Sequence, residues 1–333
     1  MREGTPSDAG LSYRRLAPEV GYDPYTGPMV GASFSRLFGV LHVDLDRDHR
    51  SSIFLAGSGR SGTTWVSGII NHRNGFRLVF EPFHPERVAI CKNFRRKQYL
   101  RPDDRREEYI EAARKVLAGG TRSFWTDRYN RKFIARRRLI KDIRANLLLG
   151  WMRENFPGMP IILLLRHPCA VAASRLALGW RDNLSETMEQ EELIEDFLAP
   201  VEAEIRAARD AFERHVFSWC IENYVPLRQF GPGQMHLAFY ENFVVHPEDE
   251  IRRLFAFLGE GYDGRVCGSL RRPSPLSREQ ESPPVDAWRR FVTRSQLVRT
   301  VEVLGLFGLD SVYGEHAMPD PSGVLALIGG AEG

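Results

Sequence analysis

The chain has 333 residues, 43% of them hydrophobic, enough for one large α/β domain with an ample core. A net charge of only +3 gives no compositional case for nucleic acid as a partner. Four scattered cysteines, Cys91, Cys169, Cys220 and Cys267, make neither a disulfide framework nor a zinc site.

Residues 1–50 mix Gly, Pro and charge and read as an irregular arm. Ile53-Phe54-Leu55-Ala56 is an apolar run of strand length. It turns through Gly57, Gly59 and Gly62 into a segment with Trp65, Val66, Ile69 and Ile70 at helical spacing. Strand, glycine loop and helix N-terminus together make an anion site, because backbone N–H groups converge and the helix dipole adds partial positive charge. Arg60 adds a full charge, and Ser61, Thr63 and Thr64 add hydroxyls. Gly57 and Gly62 hold the glycine positions of a nucleotide triphosphate loop, but the lysine that should follow is Thr63.

Leu78-Val79-Phe80 reads as a short strand that enters a loop at Glu81-Pro82-Phe83-His84-Pro85, and residues 92–106 are strongly basic. Tyr109 to Leu117 has helical spacing, residues 139–143 suit a strand, and 146–156 suit a helix ended by Pro157-Gly158. Eight cations against Asp142 alone in residues 128–144 form a basic block next to the loop. Ile161 to Leu165 is apolar throughout, as in a sheet covered on both faces, and a helix follows it through Leu178. Leu193, Phe197, Val201 and Ile205 mark one amphipathic helix in the acidic stretch 182–213. A helix over 212–227, a strand over 235–239, a helix over 248–258, a loop over 260–284 and a last helix carrying Trp288 to Leu304 complete the chain. Strands alternating with helices predict an α/β fold with a parallel sheet.

Two stretches carry most of the chemistry. Gly59-Arg60-Ser61-Gly62-Thr63-Thr64-Trp65 resembles the 5′-phosphosulfate loop of sulfotransferases that use 3′-phosphoadenosine 5′-phosphosulfate (PAPS). Arg166 ends the apolar strand where a nucleotide triphosphatase would place a metal-binding Asp, and Ser174 lies eight residues on. That pair resembles the family's 3′-phosphate motif, although the family more often has Asp where His167 stands. Arg offers two parallel donors to a phosphate, which agrees with the role.

The resemblance covers roughly residues 50–310 and implies a P-loop-type parallel sheet flanked by helices. It implies a domain over 51–315 with an acidic helical insert at 182–213 on the acceptor side, and a tail over 316–333. Phe80-Glu81-Pro82 resembles the aromatic-Glu-Pro segment of the carbohydrate branch, which supplies the general base, so Glu81 is the expected base. His84 and Asp142 remain rivals. Lys141 stands near where the cytosolic branch places an acceptor-side lysine, suited to sulfuryl oxygens. Trp65 and Tyr240 match residues around adenine, and Arg271 and Arg272 fall in the loop that closes over the 3′-phosphate. The implied reaction moves a sulfuryl group to a hydroxyl of a carbohydrate or glycosylated small molecule, releases adenosine 3′,5′-bisphosphate and requires no metal. A P-loop kinase or phosphotransferase, or a non-catalytic phosphate- or sulfate-binding module, is the alternative. With no secretory leader evident and no run of about 18 apolar residues, a cytoplasmic protein without an integral membrane segment is expected.

Overall fold

A computed structural model of the chain describes residues 40–266 and 284–328. A short strand β1 (Val43–Asp44) precedes β2 (Ser52–Gly57), and the glycine loop then leads into α1 (Thr63–Ile70). Next come β3 (Arg77–Phe80), α2 (Glu107–Leu117), β4 (Ile134–Ala135), β5 (Arg138–Asp142), α3 (Leu149–Asn155), β6 (Ile161–Leu165) and α4 (Pro168–Ala177). The rest is built from α5 (Ala211–Gln229), β7 (His236–Phe239), α6 (Tyr240–Val245), α7 (Pro247–Leu258) and α8 (Arg294–Leu306).

Among the described residues, five strands form one sheet in the order β3-β5-β2-β6-β7, every neighbouring pair parallel. The central strand β2 pairs Ile53 with Leu139 on one side and Phe54 with Ile161 on the other. Strand side chains alternate between the two faces. Phe54, Ala56, Ile140, Leu163 and Leu165 face one core with Trp151, Val171 and Phe217. Ile53, Leu55, Leu139, Ile162 and Leu164 face the other, with Val66 and Ile69 of α1 and Leu254 of α7. Both faces are covered, which explains the continuous apolar runs at 53–56 and 161–165. Because all five strands run the same way, Gly57, Phe80, Asp142, Leu165 and Phe239 end at one edge of the sheet, where open α/β sheets bind ligands.

Helix starts follow local chemistry. Pro168 and Pro247 open α4 and α7, where a missing N–H costs nothing. Asp210 caps α5 through the N–H groups of Phe212 and Glu213, and Thr293 with Gln296 makes a capping box on α8. The last helix therefore begins at Arg294, and Trp288 sits before it in a tight turn over Ala287–Arg290. The acidic stretch is not one helix. Residues Glu191–Leu193, Ile194–Leu198, Ala199–Val201 and Glu202–Ala207 form successive α, π, 3-10 and α turns. Pro200 lies in the middle, and its ring and missing N–H interrupt the ladder. The apolar face persists nonetheless, with Leu193, Leu198, Val201 and Ile205 buried.

Part of the basic block is internal. Arg77 and Arg138 are fully buried and share Asp44, and Arg77 also pairs with Asp127 at 2.8 Å. β1 pairs with β4, so the arm's last residues are tied to the domain, and Val324 and Leu327 bury part of the tail. Among the described residues no helix is long and apolar enough to cross a membrane.

Candidate active site

The glycine loop turns tightly at the edge of the sheet. Gly62 caps α1 with φ of 94°, and a Cβ there would lie 2.6 Å from the ring of Tyr240, so both conformation and space require glycine. Gly59 is as closely covered by Trp180, also 2.6 Å from where a Cβ would sit. Arg60 holds φ of 80°, unusual for a side-chain-bearing residue. Ser61 turns inward, its hydroxyl donating to the Ser58 carbonyl at 2.6 Å. Thr63 is buried and Thr64 half-buried in the first turn of α1.

Three stretches distant in sequence meet at this loop. Arg60 Nε donates to Ser174 Oγ at 3.0 Å. The Arg166 guanidinium donates to the Arg60 carbonyl at 3.1 Å and lies 4.2 Å from the centroid of the Tyr240 ring. Tyr240 in turn packs on Trp65, with ring centroids 5.5 Å apart. Arg60, Trp65, Arg166, Ser174 and Tyr240 thus form one cationic and aromatic cluster beside the N-terminus of α1. Arg271 and Arg272 lie outside the described residues.

His167 has a clear local role. Its Nδ1 accepts from the Cys169 N–H at 3.2 Å and so caps α4, as a short carboxylate would. That tautomer leaves Nε2–H to donate to the Gly314 carbonyl at 3.2 Å. The ring stacks on Trp288 at 4.3 Å, and burial holds its pKa down to about 3, so the imidazole is neutral. Glu241, beside Tyr240, accepts from the His167 N–H at 2.8 Å and from the Tyr313 hydroxyl at 2.9 Å, which fixes the strand end that carries Arg166.

On the other side of the loop, Glu81 follows β3. Its N–H donates to the Lys141 carbonyl at 2.7 Å and its own carbonyl accepts from Trp125 Nε1 at 3.0 Å. The fully buried carboxylate accepts from Lys141 Nζ at 2.6 Å and from the Arg144 guanidinium. Burial alone would raise its pKa. The charges of Lys141 and Arg144 outweigh that, and the carboxyl is held below the ordinary glutamate range. Asp142 accepts the N–H groups of Phe83 and Arg144, but burial, followed by the charge of Glu81, pushes its pKa up to about 6.

A cavity of about 300 Å³ opens beside Gly59, walled by His84, Arg144, Lys97, Trp125 and Trp180 among others. Glu81 reaches it only through Arg144, which both bonds the carboxylate and lines the wall. His84 lines it directly. Its Nδ1 is buried without a partner among the described residues, and burial, with the charge of Arg144, holds its pKa down to about 4.

One part of the site went unread in the sequence. Arg175, next to Ser174, donates to the Gly59 carbonyl at 3.1 Å and pairs with Glu222 of α5 at 2.9 Å. Glu222 also holds Lys97, and these cations outweigh its burial and keep its pKa down to about 2. The signal available was a lone carboxylate within the apolar helix Phe217 to Val225.

Residues 52–264 match the sequence profile described as the sulfotransferase family. Among solved structures, the chain is similar to the sulfotransferase domain from the curacin biosynthetic pathway at 12% identity, covering 79% of this chain and 97% of that one, with a TM-score of 0.43. For a sulfotransferase domain from the Synechococcus PCC 7002 olefin synthase the identity is 17%, the coverage 77% and 94%, and the TM-score 0.39. A mouse sulfotransferase crystallised in complex with PAP gives 16%, 84% and 91%, and 0.41. No curated protein matches the sequence. The family match spans well over half of the chain and includes the loop, β6, α4 and Glu81: the chain belongs to the sulfotransferase family.

Proposed function

We propose that this sulfotransferase takes its sulfuryl group from PAPS and delivers it to a hydroxyl of a carbohydrate or glycosylated small molecule. The observation that carries the donor assignment is the convergence of Arg60, Ser174, Arg166 and Tyr240 at a glycine loop without a lysine at Thr63. In this reading the loop N–H groups, Arg60 and the α1 N-terminus hold the phosphosulfate. Arg166 forks onto the 3′-phosphate, Ser174 adds a hydroxyl, and Trp65 with Tyr240 borders adenine. The bound donor supplies the sulfuryl group and leaves as adenosine 3′,5′-bisphosphate. The residues assigned need no metal ion.

Glu81 takes the acceptor proton in this scheme. Its lowered pKa keeps it ionised at neutral pH, ready to accept. Its partner Lys141 suits the sulfuryl oxygens, so the two bonds now joining Glu81 to Lys141 and Arg144 are the ones a reacting complex rearranges. Bonds of this kind often settle into place only once both substrates are bound. A second reading makes His84 the base, favoured by its direct exposure to the cavity and by an Nδ1 without a partner among the described residues. The carbohydrate assignment rests on the likeness of Phe80-Glu81-Pro82 to that branch, and the free thiols of Cys91, Cys169 and Cys220 suit a cytoplasmic setting.

The test is thermal stabilisation. Adenosine 3′,5′-bisphosphate without metal is expected to stabilise the fold by about 3–4 kcal/mol at 100–1,000 times its dissociation constant. Equal stabilisation by AMP would refute the 3′-phosphate site. Stabilisation by Mg·ATP alone would favour a kinase.

A further inference from the structure

We infer that the acceptor bound in the cavity beside Gly59 carries an anionic group of its own, a carboxylate, sulfate or phosphate, next to the ring that bears the reacting hydroxyl. The inference rests on the sulfotransfer reading above and specifies its acceptor. Among the described residues, Arg87, Arg96, Lys97, Arg144, Arg175 and Arg181 line the cavity against one lining carboxylate, Glu86. Among the described residues the carboxylates that meet these cations are shared. Glu86 pairs with Arg96 at 2.7 Å, Glu222 serves both Lys97 and Arg175, and Glu81, beneath the wall, is shared by Lys141 and Arg144. Arg181 is exposed and has no carboxylate partner among the described residues.

The donor does not account for this surplus. Arg60, Arg166, Ser174 and Tyr240 lie outside the cavity wall, which meets the donor loop at Gly59 alone. Cations gathered around a partly enclosed space repel one another unless an anion enters. Part of this charge reaches His84, whose pKa is held down first by burial and then by Arg144, against the opposing charge of Glu86. Trp125 and Trp180 give the cavity apolar faces, and the Arg87 guanidinium lies 5.5 Å from the centroid of Trp125. A ring can therefore rest on tryptophan while its anion meets arginine. Backbone strain marks the same place. Lys97 and Asn183, both in the wall, hold φ of 55°, and Arg60 and Glu81 beside it hold 80° and 43°. Left-handed conformations at side-chain-bearing residues persist where the surroundings enforce them, and they gather at binding and catalytic sites.

The experiment uses the full chain saturated with adenosine 3′,5′-bisphosphate and a matched pair of probes, 4-nitrophenyl β-glucuronide and 4-nitrophenyl β-glucoside, titrated by calorimetry. The glucuronide is expected to bind roughly tenfold tighter or more, through charge-assisted bonds that the glucoside lacks. The preference should shrink as salt rises from about 0.05 to 0.5 M. The Arg87→Gln/Arg181→Gln double variant should reduce it about fivefold or more while bisphosphate affinity holds. 4-Nitrophenyl phosphate and 4-nitrophenyl sulfate, each against 4-nitrophenol, show which anion fits best. Equal binding of the two glycosides, no binding of either, or a preference that survives in the double variant overturns the inference. Failure of the bisphosphate to bind would count against the donor reading instead, and the probe pair titrated without it still reports on the cavity.

Discussion

Glu81→Gln tests the assignment of the base, and it does so by perturbing two things at once. The carboxylate is fully buried and accepts from Lys141 Nζ at 2.6 Å and from Arg144. Glutamine keeps the shape but removes both the proton acceptor and the counter-charge of a buried lysine. Breaking a buried pair in this way costs about 3–5 kcal/mol of stability. Loss of a general base costs about 10²–10⁴ in turnover, which is about 3–5 kcal/mol of barrier at 1.36 kcal/mol per decade. The two losses are of similar size, so a rate taken on a partly unfolded sample would confuse them.

The assay is therefore initial transfer rate per folded enzyme, at a temperature where circular dichroism shows variant and parent equally folded. Bisphosphate affinity by calorimetry reports the donor site separately. The expected outcome is a turnover 10²–10⁴ lower, on the order assigned to a positioned base, with bisphosphate affinity nearly unchanged. His84→Gln and Asp142→Asn run beside it and should keep most activity. The acid limb of the rate profile discriminates further. With Glu81 as base it lies below the ordinary carboxylate range, whereas Asp142 would place it at about 6. A folded Glu81→Gln enzyme with full turnover, together with an inactive His84→Gln enzyme, would give the proton to His84 and remove the main support for the carbohydrate branch.

Arg166→Ala should weaken bisphosphate binding by about 2–5 kcal/mol, the order for stripping one partner from a buried charge pair. Ser174→Ala should cost less, about 0.5–2 kcal/mol, even though it also removes the acceptor of Arg60 Nε; calorimetry measures both, and an Arg166→Ala protein that binds like the parent would misplace the 3′-phosphate. Stability should fall as pH drops from about 6.5 toward 4. Burial holds the pKa of His84, His215 and His236 to about 4 and of His167 to about 3, so the unfolded chain binds more protons throughout that window. Asp142, raised to about 6, opposes the trend, and so do Glu241 and Glu250, whose pKa burial also raises, because their neutral forms are favoured in the fold. Four histidines outweigh these three carboxyls, and a thermal midpoint that stays level or rises between pH 6.5 and 5 would refute the balance.

How much of this was legible depends on whether a signal was local. β2 and β6 were readable because strands covered on both faces leave unbroken apolar runs, and α4 and α7 because Pro168 and Pro247 open them. Arg60 and Arg166 could be picked out because each follows a strand end, and Ser174 from the family's spacing eight residues on; parallel strands bring those ends to one edge. The helix expected at 193–205 breaks into short turns because Pro200 interrupts a segment whose apolar spacing is otherwise helical. Glu81 was legible as a carboxylate next to the loop, but its enclosure by Lys141 and Arg144 depends on how β3 and β5 pair. His167 looked like a departure from the family pattern. In the fold its imidazole nitrogen caps the helix in place of a carboxylate.

The least legible feature has the widest consequence. Glu222 lies on α5, 47 residues from Arg175 and 125 from Lys97, and no spacing rule joins the three. Together they tie Gly59 of the donor loop, through Arg175, to Lys97 in the cavity wall. Removing the Glu222 carboxylate would leave Arg175 and Lys97, which both line the cavity, without their counter-charge. The glycine loop and the cavity wall therefore share one support. Substitution at Glu222 is expected to disturb both binding sites together, whereas Arg166→Ala acts on the donor side alone and the Arg87→Gln/Arg181→Gln double variant on the acceptor side alone.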